Sequence, residues 1–318
     1  MAALLMLKEK IKVLYASYRN VIVPTFKAIT AFLMLLAIND KIGYMARLDN
    51  MLIVIALSAV CAVFPAVVTV LVGLAVVLVH IYTLSLELAL IAFAVFVIMG
   101  LLYLRFCSRE LILIILVPLA FYFGIPYVMP LLVGILCGPT AVLTLCCGIV
   151  VHYYIDYINV NALTIQGMAA SGTLDKIRVG LDGIIKNDAM FLALISFAAA
   201  TLVVHILRRQ SIDYAWSIAI FSGAMTNVIL SFLGILLFDN GPTVFELLIG
   251  TIVAVPIAML IGFLFMGLDY SRTEKVQFED EDYYYYVKAV PKMKIKAPAK
   301  TVKQINTQRY HTYQNKRD

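Results

Sequence analysis

Residues 111–157 read LILIILVPLAFYFGIPYVMPLLVGILCGPTAVLTLCCGIVVHYYIDY, and no Lys, Arg, Asp or Glu interrupts them before Asp156. A helix crosses the ~30 Å hydrocarbon core in about 20 residues, so this run is too long for one span and too apolar for a soluble loop. It carries its own breaks, at Gly124-Ile125-Pro126 and at Gly138-Pro139. Each combines a residue that tolerates unusual backbone angles with one that cannot continue a helix. The reading is therefore three short helical pieces, Leu111–Phe123, Ile125–Cys137 and Pro139–Tyr157, packed in a membrane.

The rest of the chain agrees. Its 318 residues are 63% hydrophobic and 14% charged, against about 45–50% and 25% in soluble domains. Further apolar runs cover Val21–Ile38, Leu88–Leu104, Met190–Leu207, Tyr214–Phe238 and Val244–Leu268, and a second overlong stretch, Met51–Thr83, is broken at Phe64-Pro65. The predicted fold class is an all-α polytopic membrane protein with about 8–10 transmembrane or re-entrant segments. Residues 1–20 read as an interfacial helix, 21–268 as the membrane domain and 269–318 as a soluble basic tail.

Basic residues set the expected orientation, because Lys and Arg are retained on the cytoplasmic side. Lys8, Lys10, Lys12 and Arg19, the Arg105/Arg109 and Arg208-Arg209 turns, and the tail from Arg272 hold 19 of the 25 Lys and Arg residues. Both termini are then cytoplasmic, and parity makes 51–83 and 111–157 contain short hairpins, spanning or re-entrant. Lys27, within the first span, is expected to snorkel to the cytoplasmic interface.

Two groups of four segments, 21–109 and 111–209, suggest a parallel repeat followed by 214–268. In each group the third segment opens after a break at Pro65 or Pro139 and ends in a His-aromatic patch, around His80 or His152; each fourth segment ends in Leu-Arg. Interrupted hydrophobic segments in matching positions point to a transport site, because broken helices free backbone dipoles. Glu87, Asp156 and Glu246 fall at outer segment ends and read either as interfacial, solvated carboxylates or, together, as an acidic vestibule. The candidate transport-path residues are Pro65, Pro139, His80, His152, Glu87 and Asp156. Thr226 and Asn227 lie among small residues and read as helix packing. Residues 172–187 read as an amphipathic helix on the outer face, weakened by Gly180 and Gly183. The five cysteines lack metal-site spacing and read as packing residues, and no metal or cofactor is expected. HExxH, GxSxG and Walker A patterns are absent, so the chain is not expected to be an enzyme.

The tail combines the acidic Phe278–Asp282, the tyrosine run Tyr283, Tyr284, Tyr285 and Tyr286, and a lysine-rich stretch. Tyr283–Val290 favours a strand, and a lone strand needs an edge to pair with. The tail therefore reads either as a disordered segment held along the membrane by lysines attracted to anionic lipid, or as a docking strand whose four tyrosines are candidate partner-docking residues. Nucleic acid is not expected as a partner.

FEDEDYYYYVKAVPK (278–292) and IPYVMPLLVGILCGPTAV (125–142) together resemble uncharacterised bacterial polytopic membrane proteins often labelled ABC transporter permeases. The resemblance implies the plasma membrane of a bacterium and a separate ATPase subunit. An importer permease would also carry a cytoplasmic EAA-then-Gly loop. The nearest segment, Ala169-Ala170-Ser171-Gly172, lacks the Glu and by charge lies outside. Three functions remain open: a transporter or permease subunit embedded in the lipid bilayer; a scaffold that recruits a cytoplasmic or envelope assembly protein through residues 278–303; and an intramembrane enzyme on lipid or peptidoglycan precursors, using the outer carboxylates and the histidines near the outer face. Self-association into a homo-oligomer is compatible with each.

Overall fold

Inside a bilayer every backbone N–H and C=O must find a partner within the protein, which makes apolar sequence helical. The computed structural model describes residues 2–106, 110–168, 173–238, 243–265 and 274–289. Arg109, the Ala169–Gly172 segment and the lysine-rich stretch beyond Ala289 lie outside the described residues, as does the side chain of Arg105. Among the described residues, six helices are long and apolar enough to cross a membrane. The protein is an all-α polytopic membrane protein with a small β-hairpin appended.

α1 (Ala2–Ile42) is two helices joined at a kink, where Tyr18 leaves helical geometry with φ −114° and ψ 22°. The kink separates the Lys-rich N-terminal segment from the first span, near the boundary expected at residue 20. α2 (Met51–Val63) and α3 (Ala66–Leu84) form a hairpin around Phe64-Pro65. α2 starts on Asn50, whose side chain accepts from the Leu52 N–H at 2.9 Å, an ordinary N-cap. At the hairpin's tip the Phe64 carbonyl accepts from Lys27 Nζ at 3.1 Å. Lys27 thus serves as a cap for the carboxyl end of α2.

α4 (Leu86–Phe106) runs back, followed by two short pieces, α5 (Leu113–Tyr122) and α6 (Val128–Leu136). Ten and nine residues rise only ~15 and ~14 Å, half a bilayer each. Between them Gly124 adopts φ +71°, which favours a residue without Cβ. α7 (Ala141–Val160) is long and apolar enough to cross fully, and α8 (Ala162–Gly167) is a short extra helix.

α9 (Thr173–Ile185) is the expected amphipathic helix. Lys176 Nζ lies 3.8 Å from Glu87 at the start of α4. A Cβ on Gly180 would come within 2.6 Å of Ile91, and one on Gly183 would meet the Tyr157 ring. The two glycines that lower helix propensity are the points where α9 presses onto α4 and α7. Propensity is traded for close approach.

α10 (Asp188–Leu207), α11 (Ala215–Leu237) and α12 (Val244–Phe265) complete the bundle. α10 and α11 are antiparallel, with Gly223 against Val204 and Gly234 against Leu192. α12 begins with a reciprocal capping box: Thr243 N–H donates to Glu246 Oε2 at 3.0 Å, and Glu246 N–H donates to Thr243 Oγ1 at 3.3 Å. Its far end meets the N-terminal segment, where Lys8 Nζ donates to the Phe263 carbonyl at 2.6 Å. The N-terminal helix and the end of the last span therefore share one face. Opposite lie the 43–50 loop and α9.

Two cores result. One joins α1–α5 and α7 through Leu35, Val77, Ile81, Leu88 and Tyr154. The other joins α5–α7 and α10–α12 through Val117, Leu131, Leu145, Phe197 and Leu247. One kind of contact recurs in the two four-segment groups. Gly73 on α3 receives Met34 from α1, and Gly148 on α7 receives Val117 from α5. They part company in length: α1 is a full span, whereas α5 is half of one.

The tail hairpin pairs β1 (Glu274–Glu279) antiparallel with β2 (Tyr284–Ala289). β2 is the expected strand, and its partner is the preceding stretch of the same tail. Asp280 organises the turn, accepting from the N–H groups of Asp282 (3.0 Å) and Tyr283 (2.8 Å) and from the Tyr285 hydroxyl (2.9 Å). These bonds hold its carboxyl below the ordinary aspartate value.

Candidate functional site

The three sequence-matched carboxylates each have a different setting. Glu87 accepts from Ser85 Oγ at 2.6 Å and pairs with Lys176, so it anchors α9. Asp156 lies 3.6 Å from Lys41 and ties α7 to α1. Glu246 borders a cavity. The structure therefore does not bring the three together.

The two histidines, alike in sequence, also diverge. His80 is fully buried. Its Nδ1 accepts from the Met45 N–H at 3.2 Å, which leaves Nε2 protonated to donate to Asn39 Oδ1 at 3.1 Å. Asn39 Nδ2 in turn donates to the Leu48 carbonyl at 2.9 Å. His80 is a latch for the 43–50 loop, fixed as the neutral Nε2–H tautomer. Replacing it with Ala strands the Met45 N–H and the Asn39 oxygen, each costing about 1–3 kcal/mol if left unmet. Hydrogen exchange at Met45 should accelerate strongly in His80→Ala; an unchanged rate would mean the latch holds nothing.

His152 stacks on Phe121, with centroids 4.1 Å apart and planes at 15°, and meets Tyr153 edge-on at 5.2 Å. Phe121 stacks in turn on Phe197 at 5.9 Å, and Phe197 contacts Tyr127 edge-on at 6.0 Å. This aromatic cluster forms where α5 ends and α6 begins. Phe197 is the tenth residue of the twenty in α10. The α5–α6 tip therefore reaches about half-way along α10 and stops.

Above that tip is a cavity of about 610 Å³. Its floor is Phe121, Gly124, Pro126, Tyr127 and Tyr153; its walls are Leu192, Ser196 and Phe197 of α10, Ser231 of α11, and Phe245, Ile249 and Val253 of α12. Glu246 stands at its mouth and, among the described lining residues, is the one with a formal charge. A volume between 300 and 1,000 Å³ with mostly apolar walls and a few polar groups suits a small molecule.

Below the tip the protein is closed. α6 packs along the lower half of α10, where Gly134 lies against Val204 and the Thr201 carbonyl. Thr201 Oγ1 donates across this contact to the Pro130 carbonyl at 3.2 Å. Arg208 Nη2 donates to the Cys137 carbonyl at 2.7 Å. A nine-residue helix has few internal bonds and four orphan carbonyls at its end, so a cation there both bonds and answers the dipole.

Of the residues singled out by sequence, His152 adjoins this cavity through Phe121 and Tyr153, and Glu246 lines its mouth. Pro139 marks the closed end, in the turn after Cys137. Pro65, His80, Glu87 and Asp156 lie outside the lining. Tyr127, Ser196, Phe197 and Ser231 were not singled out; the one available signal was the Gly124-Ile125-Pro126 break, which forms the floor. The four tail tyrosines divide. Tyr285 stacks on Phe278 at 5.0 Å, while Tyr284 and Tyr286 are 67% and 79% exposed on the other face. Neither a family model, nor a curated protein, nor a solved structure matches the chain, so the physical features of the cavity carry the functional reading.

Proposed function

We propose that the chain is an integral membrane transporter or permease subunit, held in a bacterial plasma membrane with both termini cytoplasmic. The carrying observation is the cavity that ends half-way along α10 on a broken hairpin, with a tightly packed, bonded closure beneath it. A binding cavity at mid-depth next to a discontinuous helix is the arrangement that lets a solute be reached first from one side and then from the other. Half-helices are suited to such motion, because each can shift without dragging a full span.

The test fills the cavity. Ile249→Trp and Val253→Trp place bulk on its α12 wall, at positions that tolerate a larger side chain, being 45% and 41% exposed. Host cells carrying either variant should show the same change in cell and medium metabolites as cells lacking the protein. A chain ending at Thr273 should behave as wild type. The reverse pattern, with the shortened chain defective and the tryptophan variants normal, would remove the transport reading.

That reversed result would favour a scaffold. Its supporting observation is the hairpin's exposed apolar face, where Val276 pairs with Val287 and Phe278 with Tyr285. Isolated two-stranded hairpins are marginal in water and gain stability from a third strand or a covering partner.

A further inference from the structure

We infer that the cavity above the α5–α6 tip binds a monovalent organic cation with an apolar body; the inference rests on the transport reading and names its substrate class. Five rings border the space, those of Phe121, Tyr127, Tyr153, Phe197 and Phe245. Aromatic faces carry negative charge density and attract cations, most strongly where water is scarce. They also bury an apolar body without demanding hydrogen bonds from it. The hydroxyls of Ser196 and Ser231 supply polar contact at the wall, as acceptors as well as donors.

Charge at the mouth points the same way. The N-termini of α10 and α12 both open there, since Ala189 and Phe245 are lining residues, and bare helix N-termini would favour an anion. Each is answered by a carboxylate in its first turn, Asp188 on α10 and Glu246 on α12. A full negative charge outweighs the half-charge of a helix end. Glu246 Oε2 takes the Thr243 N–H, while Oε1 has no hydrogen bond among the described residues. No Lys, Arg or His is among the described lining residues to repel a cation.

The experiment uses the full chain purified in detergent and two ions of one shape and opposite charge, tetraphenylphosphonium and tetraphenylborate. Equilibrium dialysis gives the binding of each, and Ile249→Trp, with its cavity filled, serves as the blank for uptake by micelles. Wild type should bind the phosphonium above the blank and the borate at least tenfold more weakly. Glu246→Gln should reduce phosphonium binding about tenfold, while Asp182→Asn on the surface of α9 should leave it unchanged. Gel filtration and circular dichroism establish that each variant is folded. Equal binding of the two ions, or phosphonium binding indifferent to Ile249→Trp, overturns the inference. The two readings fail separately: ion preference without a cellular defect in Ile249→Trp removes the transporter and keeps the site. A cellular defect without ion preference removes the cation and keeps the transporter.

Discussion

Gly134→Leu is expected to destabilise the bundle by about 3 kcal/mol or more, because it forces overpacking where the backbone cannot retreat. Even the first added carbon would lie 2.6 Å from Val204 Cβ and 2.9 Å from the Thr201 carbonyl. Thr201 is held by its one hydroxyl proton, shared between the Phe197 carbonyl at 2.7 Å and the Pro130 carbonyl at 3.2 Å, and Val204 is fully buried, with Gly223 of α11 behind it. Thermal unfolding followed by a thiol-reactive dye should show a clear loss, and Gly100→Ala, with no atom within 4 Å of its added carbon, should show none. Val204→Ala opens space on the same contact, so the double variant should recover part of the loss, a coupling of about 1–2 kcal/mol. Additive effects of the two changes would mean that α6 does not bear on α10 through this pair.

Arg208→Ala should unfasten the closed end. The Arg208 bond to the Cys137 carbonyl involves a charged donor, a class worth about 1.5–3 kcal/mol. With only nine residues in α6, that is enough to fray its last turn. Cys137 reports on this directly, because its thiol lies on the residue whose carbonyl is released. Its reaction with a maleimide should accelerate about tenfold or more if local opening limits the rate. Arg208→Lys should fall between the two, since an ammonium can donate but has a shorter reach and lacks the planar fork. Identical labelling in wild type and Arg208→Ala would sink the assignment of this bond as a lock.

Much of the architecture was legible because the membrane imposes one rule on every segment. The breaks read at Phe64-Pro65 and Gly138-Pro139 coincide with real ends: α2 stops at Val63 and α3 starts at Ala66, while α6 stops at Leu136 and α7 starts at Ala141. These are local properties of proline and glycine, so a single sequence suffices to find them. The amphipathic α9 was equally local. What could not be read was which apolar surface meets which. His80 and His152 both end a third segment beside tyrosines, yet one latches a loop and the other stacks on Phe121. The difference lies in Asn39 and Met45 in one case, and in a half-helix from elsewhere in the other. Glu87 and Asp156 looked equivalent for the same reason, since their partners Lys176 and Lys41 are supplied by tertiary structure; the capping box of Glu246 with Thr243, three residues away, was local and went unread. β1 escaped notice because EKVQFE is short and charged, although the alternation of Val276 and Phe278 was there to pair with Tyr285 and Val287.

The anchoring of α6 has a bearing on how the protein is made. Its two polar fastenings, Pro130 to Thr201 and Cys137 to Arg208, each join residues 71 positions apart. At a synthesis rate of 5–20 residues per second, roughly 4–14 s separate the emergence of the half-helices from that of their partners. During that interval α5 can pack on α1 and α7, but α6 is too short to span and lacks both of its fastenings. It must wait at the insertion machinery or at the lipid surface until α10 arrives. Biogenesis of this chain should therefore depend on a holding step midway through translation, and conditions that speed elongation past residue 140 should relieve it.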